Sequence, residues 1–253
     1  MKNILILTSL LIIVVGFCQN STEKKEALLI LPGFGSKIYG TRTLSKYFKN
    51  AEMPVYIPKY ISRKSIKASI CNLEKYYKKH CLNQYESLHV LAYIVGSWTL
   101  NEWILDNGKR NIKTILYDRS PLQERAPTIL LKDLPLINAL VFGKITKDFV
   151  SKPYPLMTDS SILTGMLIET YATNFIRKHK LSAMEQGPVS WEYTSLMQPV
   201  DHFTYLPLNH DQLYTLPQLF GADIFHFIHH GSFSSEIIKN QPVENPYIKL
   251  RKR

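Results

Sequence analysis

The sequence predicts an α/β fold: a mostly parallel, doubly wound sheet with a helical cap inserted over it. Short, continuous apolar runs, such as residues 27–31, are typical of strands buried on both faces of a parallel sheet. These runs alternate with segments of helical spacing, in the order expected for right-handed βαβ crossovers. Between residues 121 and 190 the alternation changes and prolines cluster, which indicates the inserted cap.

The N-terminal segment 1–18 is predicted to be a signal peptide. Lys2 supplies the positive end, and the apolar run 4–17 is shorter than the roughly 20 residues that span a membrane. Two processing routes remain open. Small residues at Gly16 and Cys18 suit cleavage after Cys18, whereas 15–18 is similar to a bacterial lipobox in which Cys18 is lipidated. We favour lipidation, although Phe17 departs from the lipobox pattern, and an uncleaved anchor is a third alternative.

The rest of the chain is predicted to form one domain with two flanking segments. The polar run 19–26 is expected to be a tether, and residues 234–253 a loose tail. The domain between them, 27–233, is long enough to bury a large core. This organisation predicts an exported protein, either periplasmic or held at the membrane as a lipoprotein.

Each element follows from its local pattern. The predicted strands are apolar runs bounded by turn residues, at 27–31, 54–58, 88–93, 114–117, 189–196 and 202–208. The predicted helices have apolar residues three and four apart, at 41–48, 65–79, 98–105, 136–149, 162–178 and 213–228, the last with a break near Pro217 or Gly221. Thr99 and Glu102 have the spacing of a capping box at the start of helix 98–105.

The charge balance and the cysteines limit the partners. Lys and Arg outnumber Asp and Glu by 31 to 20, but no basic stripe is interleaved with aromatics, which argues against nucleic acid. The basic surface suits anionic lipid headgroups or envelope polymers, or is simply solvated.

Cys71 and Cys81 would be about 15 Å apart in one continuous helix, too far for a disulfide unless that helix ends before His80. We expect two buried free thiols.

The motif with the most chemical content spans residues 92–96, at the end of strand 88–93. It has the shape of a nucleophile elbow, a strained turn between a strand and a helix that requires small residues two positions before and after the nucleophile. Ala92 and Gly96 meet that requirement, and Ile94 lies midway between them. Isoleucine has neither a proton to give up nor a lone pair with which to attack.

With two further segments, the elbow makes the chain resemble the α/β-hydrolase fold over nearly its whole mature length. Residues 31–35 resemble the loop that supplies an oxyanion-hole amide, here that of Phe34, and Val95 would supply the second amide. Residues 209–211, between a strand and a C-terminal helix, resemble the loop of the catalytic histidine. The resemblance implies that His210 is that histidine and that the sheet is of the α/β-hydrolase type.

The acid partner of His210 is predicted to be Asp118. It ends strand 114–117, a position that some lipases in this fold use, whereas Asp201 is too close to His210 in the chain. The alternatives are an ion pair of Asp118 with Arg119 or Arg125, and a structural role for His210 as a loop cap or core residue.

Ser97 is the nearest hydroxyl that might replace the missing nucleophile. Val95 and Thr99, both β-branched, would then occupy the crowded positions, so Ser97 is expected instead to bond a backbone amide in the first turn of its helix. Tyr93 is a weaker candidate for the nucleophile.

We expect no cofactor and no metal. The three histidines near the end of the last helix lack ligand partners at metal spacing: His226, His229 and His230.

Three functional hypotheses follow. The first is a catalytically degenerate hydrolase that binds an acyl or lipid-like ligand in a pocket formed by Gly33, Phe34, Tyr93, Ile94 and Val95. The second is an active esterase, lipase or thioesterase that uses Ser97, His210 and Asp118. The third is a structural protein that interacts with the envelope through its basic surface. The oligomeric state stays open.

Overall fold

The computed structural model of the protein describes residues 24–34 and 40–249. Cys18, the predicted signal and residues 19–23 lie outside the described residues. The described chain builds one sheet of six parallel strands, in the order β2-β1-β3-β4-β5-β6. Its strands are β1 (Lys24–Leu31), β2 (Val55–Tyr56), β3 (Tyr85–Ala92), β4 (Ile112–Arg119), β5 (Leu163–Tyr171) and β6 (His202–Asn209). The predicted fold class is therefore confirmed.

Both faces of the sheet are covered, as the continuous apolar strands predict. Along β1, Leu29 and Leu31 pack into one buried cluster with residues of the helices that follow β2 and β3. Leu28 and Ile30 point to the opposite face and pack into a second cluster with the first and last helices. This alternation is the period of two that a strand imposes, and it makes the sheet doubly wound.

The helices flank the sheet and build the cap. They are α1 (Gly40–Tyr47), α2 (Ile66–Lys79), α3 (Ile94–Asn107), α4 (Ala126–Asp133), α5 (Pro135–Ile137), α6 (Ile145–Ser151), α7 (Asn174–Lys178), α8 (Lys180–Met184), α9 (His210–Thr215) and α10 (Gly221–His230). A π-helical turn, Asn138–Phe142, continues α5. Among the described residues, no helix combines the length and apolarity needed to cross a membrane.

Helix α3 begins four residues earlier than the sequence predicts. Its first residue is Ile94, with Tyr93 as its N-cap. The predicted capping box of Thr99 is wrong, because Thr99 lies inside the helix and its hydroxyl donates to the Val95 carbonyl at 2.9 Å. The local spacing of Thr99 and Glu102 was a coincidence within a continuous helix.

The predicted helix 162–178 is wrong, because most of it is the buried strand β5. Its residues pair with β4 on one side and β6 on the other, for example Met166 with Tyr117 and with Phe203. A short, mostly apolar run fits a buried helix as well as a buried strand, and only the neighbouring strands decide between them. Strand β5 splits the predicted cap 121–190 into two excursions from the sheet, 120–162 and 172–201.

The predicted strand 189–196 is also wrong, since it contains the 3₁₀ turn Tyr193–Leu196.

The predicted helix 136–149 is interrupted at Gly143, whose φ is +79°. A Cβ atom at this position would lie 2.6 Å from the Arg63 carbonyl oxygen. The break is therefore a close approach between the cap and the segment before α2, which glycine permits.

The two flanking segments differ from their predictions. Residues 24–26 of the predicted tether belong to β1, in which Lys24 pairs with Tyr85. The C-terminal segment is not loose over its described part: Ile237 is buried and the Pro246 carbonyl accepts a hydrogen bond from Ala172 at 2.9 Å.

The expectation that Cys71 and Cys81 are buried is wrong. Cys71 is exposed on α2, and Cys81 is half-buried just beyond the end of that helix.

Candidate functional site

The site lies at the carboxyl ends of the strands, where ligand sites form in open α/β sheets. Here α3 approaches β1 very closely: a Cβ atom at Gly96 would lie 2.2 Å from the Leu31 carbonyl oxygen. The small residue that the elbow motif requires at this position is thus explained by packing. The strain of an elbow is not present, because Ile94 is the first helical residue. Among described non-glycine residues, positive φ occurs at Cys81, Arg110 and Met197.

His210 is presented by the end of β6 and the start of α9. Asn209 caps α9 by accepting from the Gln212 amide at 3.1 Å, and the Gln212 side chain accepts from the Asn209 amide at 2.9 Å. This reciprocal capping box fixes the first turn and therefore the position of the buried imidazole.

The acid that bonds His210 is Glu169, which the sequence analysis did not identify. Its Oε1 lies 2.7 Å from Nδ1 of His210, whereas Oδ2 of Asp118 lies 3.5 Å from the same nitrogen. Asp118 is therefore beside the histidine as predicted, but it is the second of two carboxylates. The misassigned helix 162–178 hid Glu169. Glu169 is the one charged residue in the mostly apolar stretch 162–171, and this was the signal that could have revealed it.

The alternative ion pairs of Asp118 do not form. Arg119 is paired with Glu124. Arg125 instead donates to the carbonyl oxygens of Ala183 and Gly187 in the second cap excursion, at 2.6 and 2.8 Å.

The three site residues are buried together, and this perturbs their proton affinities. Burial raises the pKa of Glu169 well above its usual value, and the charge of Asp118 raises it further. Burial lowers the pKa of His210, but the charges of Glu169 and Asp118 outweigh it and hold that pKa well above the usual value. Both oxygens of Asp118 and Oε2 of Glu169 are buried without a hydrogen-bond partner.

Asp118, Glu169 and His210 are also ligand types for a metal ion, with candidate ligand atoms within 4.8 Å of one another. They are the one such group among residues 24–34 and 40–249. However, the 2.7 Å bond of His210 to Glu169 has the length of a charge-assisted hydrogen bond. The arrangement is that of a histidine oriented by an acid.

The histidines of α10 take no part in this site. They form the amphipathic helix end that the sequence predicts, where His229 Nε2 lies 3.2 Å from a carboxylate oxygen of Glu52.

A cavity of about 620 Å³ opens in front of His210, beneath the cap. Phe34, Ile94 and Val95 line it as predicted. Its remaining apolar wall comes from α3 and both cap excursions, including Trp98, Leu130, Ile137, Val141, Phe142, Phe149, Phe175 and Leu196. The volume is within the range of small-molecule sites.

Two residues predicted to line the pocket lie behind it. Tyr93 is fully buried and stacks on Tyr214, and its hydroxyl donates to the Leu213 carbonyl at 3.1 Å. Gly33 is buried too, and its amide donates to the Tyr214 hydroxyl at 2.7 Å. Their places in the pocket prediction are wrong, because both pack against α9 rather than the cap.

Ser97 is fully buried in the first turn of α3, and its hydroxyl donates to the Ile94 carbonyl at 2.8 Å. The predicted bond of Ser97 to a backbone amide is therefore replaced by a bond to a carbonyl. Ser97 is absent from the cavity wall, which His210 and Ile94 share.

Comparison with known structures supports the fold. The α/β-hydrolase enzyme MGS-MChE2, from the sediment metagenome of the Mar Chica lagoon, aligns with 82% of this chain and 92% of its own, at a TM-score of 0.51 and 14% identity. The esterase RhEst1 from Rhodococcus aligns with 83% of this chain and 93% of its own, at a TM-score of 0.46 and 11% identity. A lipase-esterase related protein from Clostridium acetobutylicum aligns with 82% of this chain and 96% of its own, at a TM-score of 0.48 and 9% identity. No protein-family model and no curated protein matches the chain. The parallel sheet with its helices on both faces and its cap, together with the likeness to MGS-MChE2, gives this chain the fold of the α/β-hydrolases.

Proposed function

We propose that this chain is a catalytically degenerate α/β-hydrolase-like protein that binds an acyl or lipid-like ligand at the cell envelope. The observation that supports this most directly is the cavity wall beside His210. Ile94, at the sequence position of the elbow nucleophile, contributes a hydrocarbon side chain to that wall. In this fold a serine would attack the acyl carbonyl at that point, and without a nucleophile no acyl-enzyme forms.

The composition of the cavity favours a long apolar ligand. Aromatic and aliphatic side chains from α3 and the cap form most of its surface. Burying a methylene group in such surroundings contributes about 0.8 kcal/mol, so a chain of several methylenes would bind without any covalent step.

A second candidate function is ester hydrolysis with Ser97 as a displaced nucleophile. The retained bond between His210 and Glu169 favours it, since a histidine oriented by an acid is the base of such enzymes. The bond of Ser97 to the Ile94 carbonyl opposes it, because the hydroxyl is directed into its own helix.

Fluorophosphonate labelling separates the two candidates. We expect no labelling of the purified natural protein, and labelling in Ile94→Ser, where a hydroxyl is placed on the wall that His210 shares. Labelling of the natural protein that disappears in Ser97→Ala would overturn the degenerate interpretation and establish a hydrolase. Ser97→Ala is also the matched control, since it removes the other nearby hydroxyl while leaving the cavity wall unchanged.

A further inference from the structure

The first cap excursion exposes a cluster of large aliphatic side chains on α5 and the π-helical turn that continues it. Leu136 is 79% exposed, Ile137 47% and Leu140 75%. One exposed leucine is ordinary on a protein surface, whereas a cluster marks a contact with a partner or a membrane. No other five-residue stretch within 24–34 and 40–249 exposes three large apolar side chains, apart from those that overlap this one. We call these three residues the cap patch.

The helical geometry of this segment directs the cap patch away from the protein. Leu136 and Leu140 are four residues apart, and residues at this spacing lie on the same side of a helical segment. Asn138, between them, is buried, so the opposite side of the segment packs against the protein. Ile137 is half exposed and also lines the cavity. The cap patch therefore borders the cavity wall.

Basic side chains flank the cap patch. Lys144 and Lys147 follow it in the cap and are exposed, and residues 134–147 contain no aspartate or glutamate. Arg63 borders it from the body of the protein, because its guanidinium donates to the Ala139 carbonyl at 2.8 Å. Within the described part of the chain, no carboxylate forms an ion pair with these three basic side chains. The cap patch is thus an apolar surface with unpaired positive charge beside it.

The carboxylates at the two ends of this segment already have basic neighbours. An oxygen of Asp148 lies 3.4 Å from Nζ of Lys152, and an oxygen of Asp133 lies 3.4 Å from Nδ1 of His179. They therefore leave the charge of the lysines in the cap uncompensated.

The occupant that matches this combination is a bilayer with anionic headgroups. Its acyl region accepts aliphatic side chains, and its headgroup phosphates attract the lysines around them. A second copy of the chain matches less well, because a symmetric contact would bring the same unpaired basic residues of both copies to one interface.

We propose that the cap patch docks on an anionic membrane surface, with Leu136, Ile137 and Leu140 at the acyl boundary and Lys144 and Lys147 at the headgroup phosphates. This goes beyond the proposed function, because it concerns the outer surface of the cap and holds whatever fills the cavity. Docking in this orientation brings Ile137, and with it the edge of the cavity, to the lipid surface.

Vesicle co-sedimentation of the chain from Gln19 to Arg253 tests the proposal. This chain contains every described helix and strand, and it lacks the predicted signal and Cys18, so neither can carry it to lipid. We expect it to bind vesicles made of equal parts phosphatidylcholine and phosphatidylglycerol. Binding to phosphatidylcholine alone should be roughly tenfold weaker or more, since each basic residue near an anionic surface contributes about fivefold in affinity. Absence of binding to the mixed vesicles would overturn the proposal.

Two double variants assign the binding to the cap patch and its lysines. Leu136→Gln with Leu140→Gln should weaken binding to the mixed vesicles roughly tenfold or more, because apolar contact with the acyl region is lost. Lys144→Gln with Lys147→Gln should weaken it by roughly twenty-fivefold and leave binding to phosphatidylcholine unchanged. All four side chains are exposed, so thermal unfolding should match that of the natural chain.

Matched controls remove the same residue types outside the cap. Leu105→Gln with Leu219→Gln replaces two exposed leucines, and Lys75→Gln with Lys79→Gln replaces two exposed lysines of α2. Both controls should bind as the natural chain does. Binding that persists in both cap variants, or that falls equally in the controls, would overturn the proposal. So would a leucine variant that dissociates a dimer while vesicle binding is unchanged, and the cap patch would then be an interface between copies.

Discussion

The fold raises the proton affinity of Glu169 and His210 above that of the same residues in an unfolded chain. Burial, and then the charge of Asp118, raises the pKa of Glu169 above its usual 4.5. Burial lowers the pKa of His210, but the charges of Glu169 and Asp118 outweigh it and raise that pKa above the usual 6.5. A group with a raised pKa stabilises the fold fully below its ordinary pKa, and this contribution is lost as the pH rises through the raised value. The site is thus an acid-stabilised cluster.

The stability of the protein should therefore fall as the pH rises above 6.5. Each retained proton changes the free energy of unfolding by about 1.4 kcal/mol per pH unit in this interval. Urea unfolding of the natural protein and of Glu169→Gln at several pH values measures the slope. The variant should have a shallower slope, and Glu86→Gln, an exposed glutamate on β3, should keep the natural one. An unchanged slope in Glu169→Gln would show that the cluster does not retain the proton.

Gly96 should tolerate no side chain. A Cβ atom there would meet backbone at 2.2 Å, which requires α3 to move away from β1. We expect Gly96→Ala to lower the free energy of unfolding by roughly 3 kcal/mol or more, as overpacking against backbone does. Gly108→Ala, at the other end of α3, meets no atom within 4 Å, but its φ of +74° and ψ of 167° are essentially confined to glycine, so backbone strain alone should cost about 1–3 kcal/mol. Equal losses measured by thermal unfolding would contradict the close-packing argument.

At the scale of elements, the cap is held to the body at the start of α2. The carboxylate of Asp148, on α6, accepts from the amide of Ile66 at 2.9 Å, so a cap residue satisfies an orphan donor of a body helix. Arg63 adds two bonds to the cap: its side chain donates to the Ala139 carbonyl at 2.8 Å and its own carbonyl accepts from Ile145 at 3.3 Å. These contacts fix the cap wall that carries Phe142, Thr146 and Phe149 over the cavity.

Asp148→Ala should loosen the cap. Loss of the bond to Ile66 and of the negative charge near the helix start should cost about 1–2 kcal/mol. Limited proteolysis should then cut segment 120–162 faster than in the natural protein. Asp106→Ala, an exposed position at the end of α3, is the control. Identical proteolysis of the three proteins would show that the bond does not hold the cap.

At the scale of the whole molecule, the proposed place at the envelope requires export, and we expect export to depend on the predicted signal, residues 1–18. If Cys18 is lipidated, the mature protein should begin with Cys18 and partition with membranes, and Cys18→Ser should release it. Mass spectrometry of the mature N-terminus measures this directly. A free N-terminus at Gln19 in the soluble fraction would contradict lipidation and establish cleavage after Cys18.

The sequence by itself determined the doubly wound parallel sheet, because continuous apolar runs alternating with helical spacing can bury both strand faces in few other ways. It also located the turn at Ile94, the histidine loop and Asp118, since each is a local pattern at the end of a strand. Only the tertiary structure decided that residues 163–171 form a strand, because its apolar run suits either element until β4 and β6 flank it. That pairing places Glu169 against His210. This is a contact between residues far apart in the chain, which no local pattern encodes.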